Sequence, residues 1–281
     1  MRKLLIERNS GQESGYQPRY RYQPIVDQKG VDRLGALEPG KIFMSDPARF
    51  NDPLDMNLPV KDLTHRSPFH RINVLREAVG LLLEKNKDHG DFWLYDARML
   101  ACLRAWVNGS CHHQSLITDA ARRFAEFGVA CFADTLDNPL MWAHYAGQHS
   151  GFCIEYAVDE IELSNDPGNS AFYSLHVQYV TEAPEVCLSE VLFSPHQVMG
   201  RMFATKVIDW AYEREWRLVN FEKKGLQVDM PKHMHVTALI AGLNVSVEDM
   251  VKLKDAAVRL GVHALKMERK TTGEMRAEPL A

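Results

Sequence analysis

Apolar residues recur at two different spacings in the two halves of the chain. Between residues 70 and 127 they recur every three or four positions, which predicts a series of amphipathic helices that ends at Gly128. Beyond Gly128, short runs predict strands, interrupted by helices at 138–146, 185–207 and 246–260. The predicted strands are 19–26, 41–44, 128–134, 151–158, 175–180, 213–221, 236–242 and 263–270. Because helices and strands are mixed without strict alternation, an α+β fold is favoured.

The same pattern predicts a simple domain organisation. Residues 1–18 are polar and contain glycine and proline, which is typical of a mobile lead-in. Residues 19–281 are predicted to form a single α+β domain. The helical region at about 65–127 is expected to pack as an insertion beside the β core, because its charged residues alternate with apolar ones at helical spacing.

Composition narrows the class of protein. Hydrophobic residues make up 46% of the chain and charged residues 25%, and the formal net charge is −4, so no basic excess indicates a nucleic-acid surface. The 5 cysteines are widely spaced without a CxxC pair, which predicts reduced thiols and a cytoplasmic location. No apolar stretch approaches the length of a membrane span, and no membrane partner is expected.

The sequence lacks the common catalytic signatures. It contains no dinucleotide-binding GxGxxG, no Walker loop, no HExxH and no GxSxG. His112 and His113 are adjacent and so cannot share a face of a helix or strand. A polar connecting loop is the better interpretation of this pair, and no metal site is expected.

A cluster of aromatic residues precedes the strand predicted at 151–158. It contains Trp142, His144, Tyr145 and His149. Such a cluster can shape a ligand pocket, because aromatic rings offer broad contacts and imidazoles require polar partners. Alternatively, Trp142 and Tyr145 form a core stripe, since residues three apart lie on one side of a helix.

The segment from Lys206 onward is rich in charge. If residues 213–218 are extended, three charged side chains project to one face of the strand, namely Glu213, Glu215 and Arg217. Two carboxylates beside a guanidinium can recognise hydroxyl groups and stabilise a developing cation. The alternative is a solvated strand face whose charges compensate one another.

The loop that contains Asn51 and Asp52 permits two interpretations. Both side chains can cap and turn the backbone of the segment Phe50–Pro53. The loop can equally lie over a pocket, which would make both residues ligand contacts.

Taken together, these segments resemble a bacterial family catalogued as domain of unknown function 2971. The resemblance spans about residue 20 to the end of the chain. It runs through Tyr20–Tyr22, Phe50–Pro53, Cys131–Phe132, Met141–Ala146, His149, Gly151–Phe152, Lys206 and Tyr212–Arg217.

The order of the motifs is also similar to that of toxin-type ADP-ribosyltransferases. This resemblance implies a split, bent mixed β core with a helical insertion. By position, Arg21 matches the first-strand residue of those enzymes, the strand at 131–133 the second element and Glu215 the late glutamate. Ala133 departs from the serine that is common in the second element.

The resemblance to ADP-ribosyltransferases implies that NAD is a consumed substrate and that no cofactor is retained. Glu215 would stabilise the oxocarbenium-like state as the nicotinamide–ribose bond breaks, and Glu213 would orient the acceptor. Arg21 would hold phosphate or ribose oxygens, while Tyr22 or Trp142 would stack on the nicotinamide. The remaining predicted contacts are Asn51, Asp52, His144, Tyr145, His149, Lys206 and Arg217.

The leading functional hypothesis is therefore transfer of ADP-ribose to a protein, a nucleic acid or water, in bacterial defence or stress response. A non-catalytic nucleotide-sensing or protein-interaction domain is the alternative. A nucleic-acid-processing enzyme ranks third, because the sequence lacks an acidic cluster with metal-binding spacing. The leading hypothesis predicts that Arg21, Trp142, His144 and Glu215 line one concavity.

Overall fold

A computed structural model describes residues 15–52, 54–56, 60–61, 127–187 and 195–280. The chain divides into two compact units. The first comprises Met1–Ser10, Pro47–Phe127 and Gln178–Ile208, and the second comprises Gly11–Asp46, Gly128–Val177 and Asp209–Ala281. The predicted helical insertion lies outside the described residues, apart from Phe127, as does most of the predicted lead-in.

The described residues contain fourteen strands and four α-helices. The strands are β1 (Gln17–Gln23), β2 (Lys41–Met44), β3 (Val60–Lys61), β4 (Gly128–Ala133), β5 (Phe152–Val158), β6 (Phe172–His176), β7 (Gln178–Val180), β8 (Val186–Cys187), β9 (Thr205–Val207), β10 (Glu215–Asn220), β11 (Leu226–Asp229), β12 (Met234–Ala241), β13 (His263–Arg269) and β14 (Met275–Pro279). The helices are α1 (Pro139–Tyr145), α2 (Glu160–Asn165), α3 (Pro195–Ala204) and α4 (Val247–Leu260). Three 3₁₀ helices lie at Pro47–Arg49, Pro167–Asn169 and Ile208–Glu213.

An eight-stranded mixed sheet dominates the second unit. Its strand order is β14-β13-β12-β5-β1-β4-β10-β6, and β2 pairs separately with β11. Neighbouring strands of the large sheet are antiparallel except β12 and β13, which are parallel. In the first unit, β3 pairs with β8 and β7 with β9. The predicted α+β class is confirmed.

Each face of the large sheet is covered by its own apolar cluster. On one face, called the α4 face, Ile154, Phe132 and Trp216 belong to the same core as Leu253 and Ala257 of α4. The other, called the α1 face, carries a core with these members: Tyr22, Ala133, Cys153 and Ile240 from the strands, with Met141 and Trp142 from α1. Successive strand residues alternate between the two faces, so a residue's position in a strand determines its cluster.

Local signals account for the helix ends on both faces. Asn138 accepts a hydrogen bond from the Leu140 N–H at 2.9 Å, and Pro139 occupies the first turn of α1. Ser246 accepts from the Asp249 N–H at 3.0 Å, and Gly261 ends α4 in the left-handed conformation with φ 69°. No helix in the described ranges is long and apolar enough to cross a membrane.

Several predicted elements differ from the structure by more than a residue or two. The strand expected at 175–180 is two strands, β6 and β7, which belong to different units. The helix expected at 185–207 has the strand β8 at its start and the strand β9 at its end, and α3 lies between them at Pro195–Ala204. The strands β11 and β14 were not predicted, because they are short or poor in apolar residues and form through pairing with β2 and β13.

Candidate functional site

Two loops meet α1 on the α1 face of the sheet. The Asn138 side chain donates a hydrogen bond to the Tyr212 carbonyl at 2.7 Å, which joins the start of α1 to the 3₁₀ helix. Asp134, just after β4, forms an ion pair with Arg214 at 2.9 Å. These contacts hold α1, the end of β4 and the approach to β10 together as one local structure.

Four rings follow one another along this junction, and we call them the aromatic platform: Trp210, Tyr212, His144 and Tyr145. The Trp210 and Tyr212 ring centroids lie 6.1 Å apart, and those of Tyr212 and His144 lie 6.0 Å apart. The His144 and Tyr145 centroids are separated by 6.4 Å. His144 is exposed and the other three are half-buried, so the platform presents ring surface to solvent.

Glu213 lies against this platform. Its side chain accepts a hydrogen bond from the Tyr145 hydroxyl, and the residue is only 3% exposed. Burying a carboxylate is costly unless hydrogen bonds or charges compensate it. A buried carboxylate beside rings that face solvent therefore marks this junction as a candidate functional site.

The prediction that residues 213–218 form one extended segment is wrong at its start. Glu213 ends the 3₁₀ helix, and Arg214 has φ 46°, a left-handed conformation that non-glycine residues rarely adopt. The strand begins only at Glu215. Glu213 and Glu215 therefore do not project from one face of a common strand, although the sequence predicted that they would.

Glu215 is held by its own neighbour on β10. Arg217 donates from Nε and Nη2 to the two carboxylate oxygens at 2.8 and 2.9 Å. Glu215 is 5% exposed and Arg217 is 0% exposed, so the pair is buried. Bidentate geometry of this kind strengthens an arginine–carboxylate pair and fixes its orientation.

Strand register determines which candidates share a face. Tyr20 is paired with Ala133, and Ala133 is paired with Glu215 on its other side. Directly opposed residues in neighbouring antiparallel strands project to the same face. Tyr20 and Glu215 therefore lie on the α1 face, and Arg21, the next residue of β1, lies on the α4 face.

The contacts of Arg21 agree with this placement. Its guanidinium donates to the Phe43 carbonyl at 2.7 Å and to the Ser45 hydroxyl at 3.3 Å. It also lies 6.0 Å from the ring centre of Phe132 on the α4 face. The prediction that Arg21 lines one concavity with Glu215 is therefore wrong, because the sheet separates the two side chains.

Trp142, Tyr22 and His149 form the aromatic core beneath α1. Trp142 is 0% exposed, and its indole donates to the Leu136 carbonyl at 2.8 Å. Tyr22 contacts the Trp142 ring edge to face at 5.1 Å, and burial raises the pKa of its hydroxyl. The His149 ring is stacked at 6.5 Å from Trp142. The structure therefore shows Trp142 as a core residue and not as the wall of a ligand pocket.

A polar network on the α1 face was not singled out from sequence. Thr237 donates to Glu155 Oε1 at 2.6 Å, and Tyr20 lies directly across from Glu155 on β1. Burial, together with the charge of Glu155, raises the pKa of Tyr20 to about 12. The alternation of Tyr20, Arg21 and Tyr22 was visible in the sequence, but nothing in it showed which side faces α1.

Three further predicted contacts belong to the first unit. Asn51 is exposed, and Asp52 accepts a hydrogen bond from the Leu54 N–H at 2.9 Å, as a turn-capping residue does. Lys206 forms a buried ion pair with Asp55 at 3.5 Å. The other predicted residues lie in the second unit.

The platform segments carry excess negative charge. Residues 134–149 and 209–214 contain four carboxylates and a single guanidinium, those of Asp134, Asp137, Asp209, Glu213 and Arg214. Within the described ranges, no group of three or more His, Cys, Asp or Glu side chains could hold a metal ion. The arrangement of rings and carboxylates favours a planar cation, because both attract positive charge.

Comparison with known proteins supports one of the two resemblances. The model of a family described as a protein of unknown function (DUF2971) matches residues 141–218, which run from α1 into β10 and include every platform residue. No curated protein and no solved structure matches the chain. The likeness to ADP-ribosyltransferases therefore rests on the residues alone.

Proposed function

We propose that the second unit binds NAD⁺ on the aromatic platform and cleaves its nicotinamide–ribose bond, as an ADP-ribosyltransferase-like enzyme. The observation that carries this proposal is the position of Glu213. Tyr145 belongs to the platform and also donates its hydroxyl hydrogen to the buried Glu213 carboxylate. A buried carboxylate therefore lies directly beside a partly exposed stacking surface.

The platform suits the oxidised nicotinamide ring. That ring is planar and positively charged, and a cation is attracted to the face of an aromatic ring. The excess carboxylates of the platform segments add to this attraction. Reduced NADH carries a neutral ring and gains neither contribution.

Cleavage moves the positive charge of the substrate. As the bond from C1′ to the pyridinium nitrogen breaks, its electron pair leaves with nicotinamide, which becomes neutral. The ribose then acquires oxocarbenium character, which a nearby carboxylate stabilises. An acceptor hydroxyl or water attacks C1′ and loses a proton. Glu213 supplies the stabilising charge in this scheme.

The roles differ from those that the sequence alone suggested. Glu215 is neutralised by Arg217, so it acts by holding the end of β10 rather than by facing the ribose. Glu213, which contacts the platform through Tyr145, takes the role of transition-state stabiliser. Arg21 takes no part, because it lies on the α4 face.

Calorimetric titration with the two redox forms tests this proposal. Wild-type protein is expected to bind NAD⁺ at least about tenfold more tightly than NADH, and Tyr212→Ala should lose about tenfold in NAD⁺ affinity. Tyr16→Ala is a matched control, since Tyr16 forms a ring pair with His235 at 5.2 Å, away from the platform. Equal binding of both forms, or an unchanged affinity in Tyr212→Ala, would contradict the cationic-ring hypothesis.

A nucleotide sensor without turnover is the second candidate. Glu213 and Glu215 are 3% and 5% exposed, and both already have hydrogen-bond donors within the protein. Buried carboxylates that are already hydrogen-bonded within the protein are satisfied without a substrate, so the site can bind a ligand without reacting with it. NAD⁺ binding without release of nicotinamide would favour the sensor over the enzyme.

A further inference from the structure

We propose that Glu155 makes this site select dinucleotides with free ribose hydroxyls, such as NAD⁺, over those with a ribose phosphate, such as NADP⁺. The inference rests on the proposed function and adds its nucleotide specificity. Thr237 holds the Glu155 carboxylate through its hydroxyl at 2.6 Å, and Tyr20 lies directly across from Glu155 on β1.

Register places Glu155 in line with the end of β10. Glu155 pairs with Tyr20, Tyr20 with Ala133 and Ala133 with Glu215, across four adjacent strands. All four side chains therefore project to the α1 face. With strands about 4.8 Å apart, the backbones at Glu155 and Glu215 lie roughly 14 Å apart, and Glu213 precedes Glu215 by two residues. A dinucleotide can span a distance of this size.

The region around Tyr20 connects this row to the platform. Tyr20, Tyr145 and Tyr212 all pack against the apolar cluster of the α1 face. Burial raises the pKa of Tyr20 most, and the charge of Asp137, which directly precedes the N-cap of α1, adds to the rise. A nucleotide with its nicotinamide on the platform can therefore extend its second ribose along the row toward Glu155.

The chemistry of the Glu155 carboxylate determines what it accepts. An ionised carboxylate has about four lone-pair sites, so the hydrogen bond from Thr237 leaves capacity for a further donor. A ribose hydroxyl supplies that donor, as in dinucleotide sites where an acidic residue binds the ribose. A phosphate at the same place brings negative charge against Glu155 and Asp137 and is repelled.

Affinities for NAD⁺ and NADP⁺, measured by calorimetry at fixed ionic strength, test the inference. Wild-type protein is expected to prefer NAD⁺ by about tenfold or more, because juxtaposed like charges are strongly unfavourable. Glu155→Gln should bring the ratio close to one, mainly through tighter binding of NADP⁺. Glu248→Gln on α4 is the control and should keep the wild-type ratio, since Glu248 forms an ion pair with Lys252 on that helix.

Two further variants keep the inference open to refutation. Thr237→Val removes the hydrogen bond that holds the carboxylate, and Tyr20→Phe removes the hydroxyl across from it, so each should reduce the preference only in part. If Glu155→Gln does not fold, the ratio in Thr237→Val decides. A folded Glu155→Gln protein with the wild-type ratio would overturn the specificity inference and leave the NAD⁺ site intact. Failure of the wild type to bind either nucleotide would overturn both proposals.

Discussion

Replacement of Glu213 with glutamine is expected to slow the release of nicotinamide from NAD⁺ by roughly 10²–10³-fold. Glutamine preserves the size of the side chain and a hydrogen-bond acceptor for Tyr145, but it removes the negative charge. That charge matters most when the ribose becomes cationic, so turnover should fall far more than NAD⁺ affinity. Chromatographic measurement of nicotinamide, with calorimetric measurement of NAD⁺ binding, separates the two effects.

Two further variants separate the effect of the Glu213 charge from that of its hydrogen bond and from that of Glu215. Tyr145→Phe removes the hydrogen bond and keeps the carboxylate, so turnover should fall by less than about tenfold. Glu215→Gln tests the assignment that the resemblance to ADP-ribosyltransferases implied. A larger loss in Glu215→Gln than in Glu213→Gln, with an intact melting temperature, would return the catalytic role to Glu215. Release of nicotinamide by folded Glu213→Gln at the parent rate would refute the role of Glu213.

Replacement of Arg217 with methionine is expected to cost about 3–5 kcal/mol of the free energy of unfolding. Arg217 is 0% exposed and donates to both oxygens of Glu215, which is itself buried. Methionine fills much of the space of the arginine stem but leaves the Glu215 carboxylate without its charged partner. Urea denaturation followed by tryptophan fluorescence measures the loss.

A double variant and a surface control separate charge from packing. Arg217→Met combined with Glu215→Leu removes both charges and should be more stable than Arg217→Met alone, because the buried Glu215 charge is removed together with that of Arg217. Arg276 and Glu274 are also two residues apart in sequence and form an ion pair at 2.9 Å, but their side chains are 61% and 51% exposed. Arg276→Met should leave the midpoint of unfolding unchanged. Equal losses in Arg217→Met and Arg276→Met would show that burial of the pair has no energetic importance.

Local patterns predicted the elements whose ends are determined by nearby residues. Asn138 and Pro139 mark the start of α1, and Ser246 caps α4. Lys41–Met44 was predicted as a strand and forms β2 with those bounds. These elements follow from apolar spacing and cap chemistry within a few residues, and for that reason the sequence alone identifies them.

Long-range pairing determines the parts that were missed. Alternation in β1 shows that Tyr20 and Arg21 face opposite ways, but only the register with β4 and β5 shows which of them faces α1. The left-handed conformation of Arg214, which separates Glu213 from β10, has no signal in an arginine. Of the platform, the sequence named His144 and Tyr145, together with Glu213 beside it. It did not name Trp210 and Tyr212 as contacts, and the grouping of these residues into one site required the fold.

A crystal structure of the Glu213→Gln protein with NAD⁺ would show where the nucleotide binds, since slow cleavage keeps the nucleotide intact. We expect the nicotinamide ring to stack on the platform against Tyr212 or His144, beside residue 213. The riboses should then lie on the α1 face of the sheet. NAD⁺ bound against Arg21 on the α4 face, or away from the platform, would contradict this expectation.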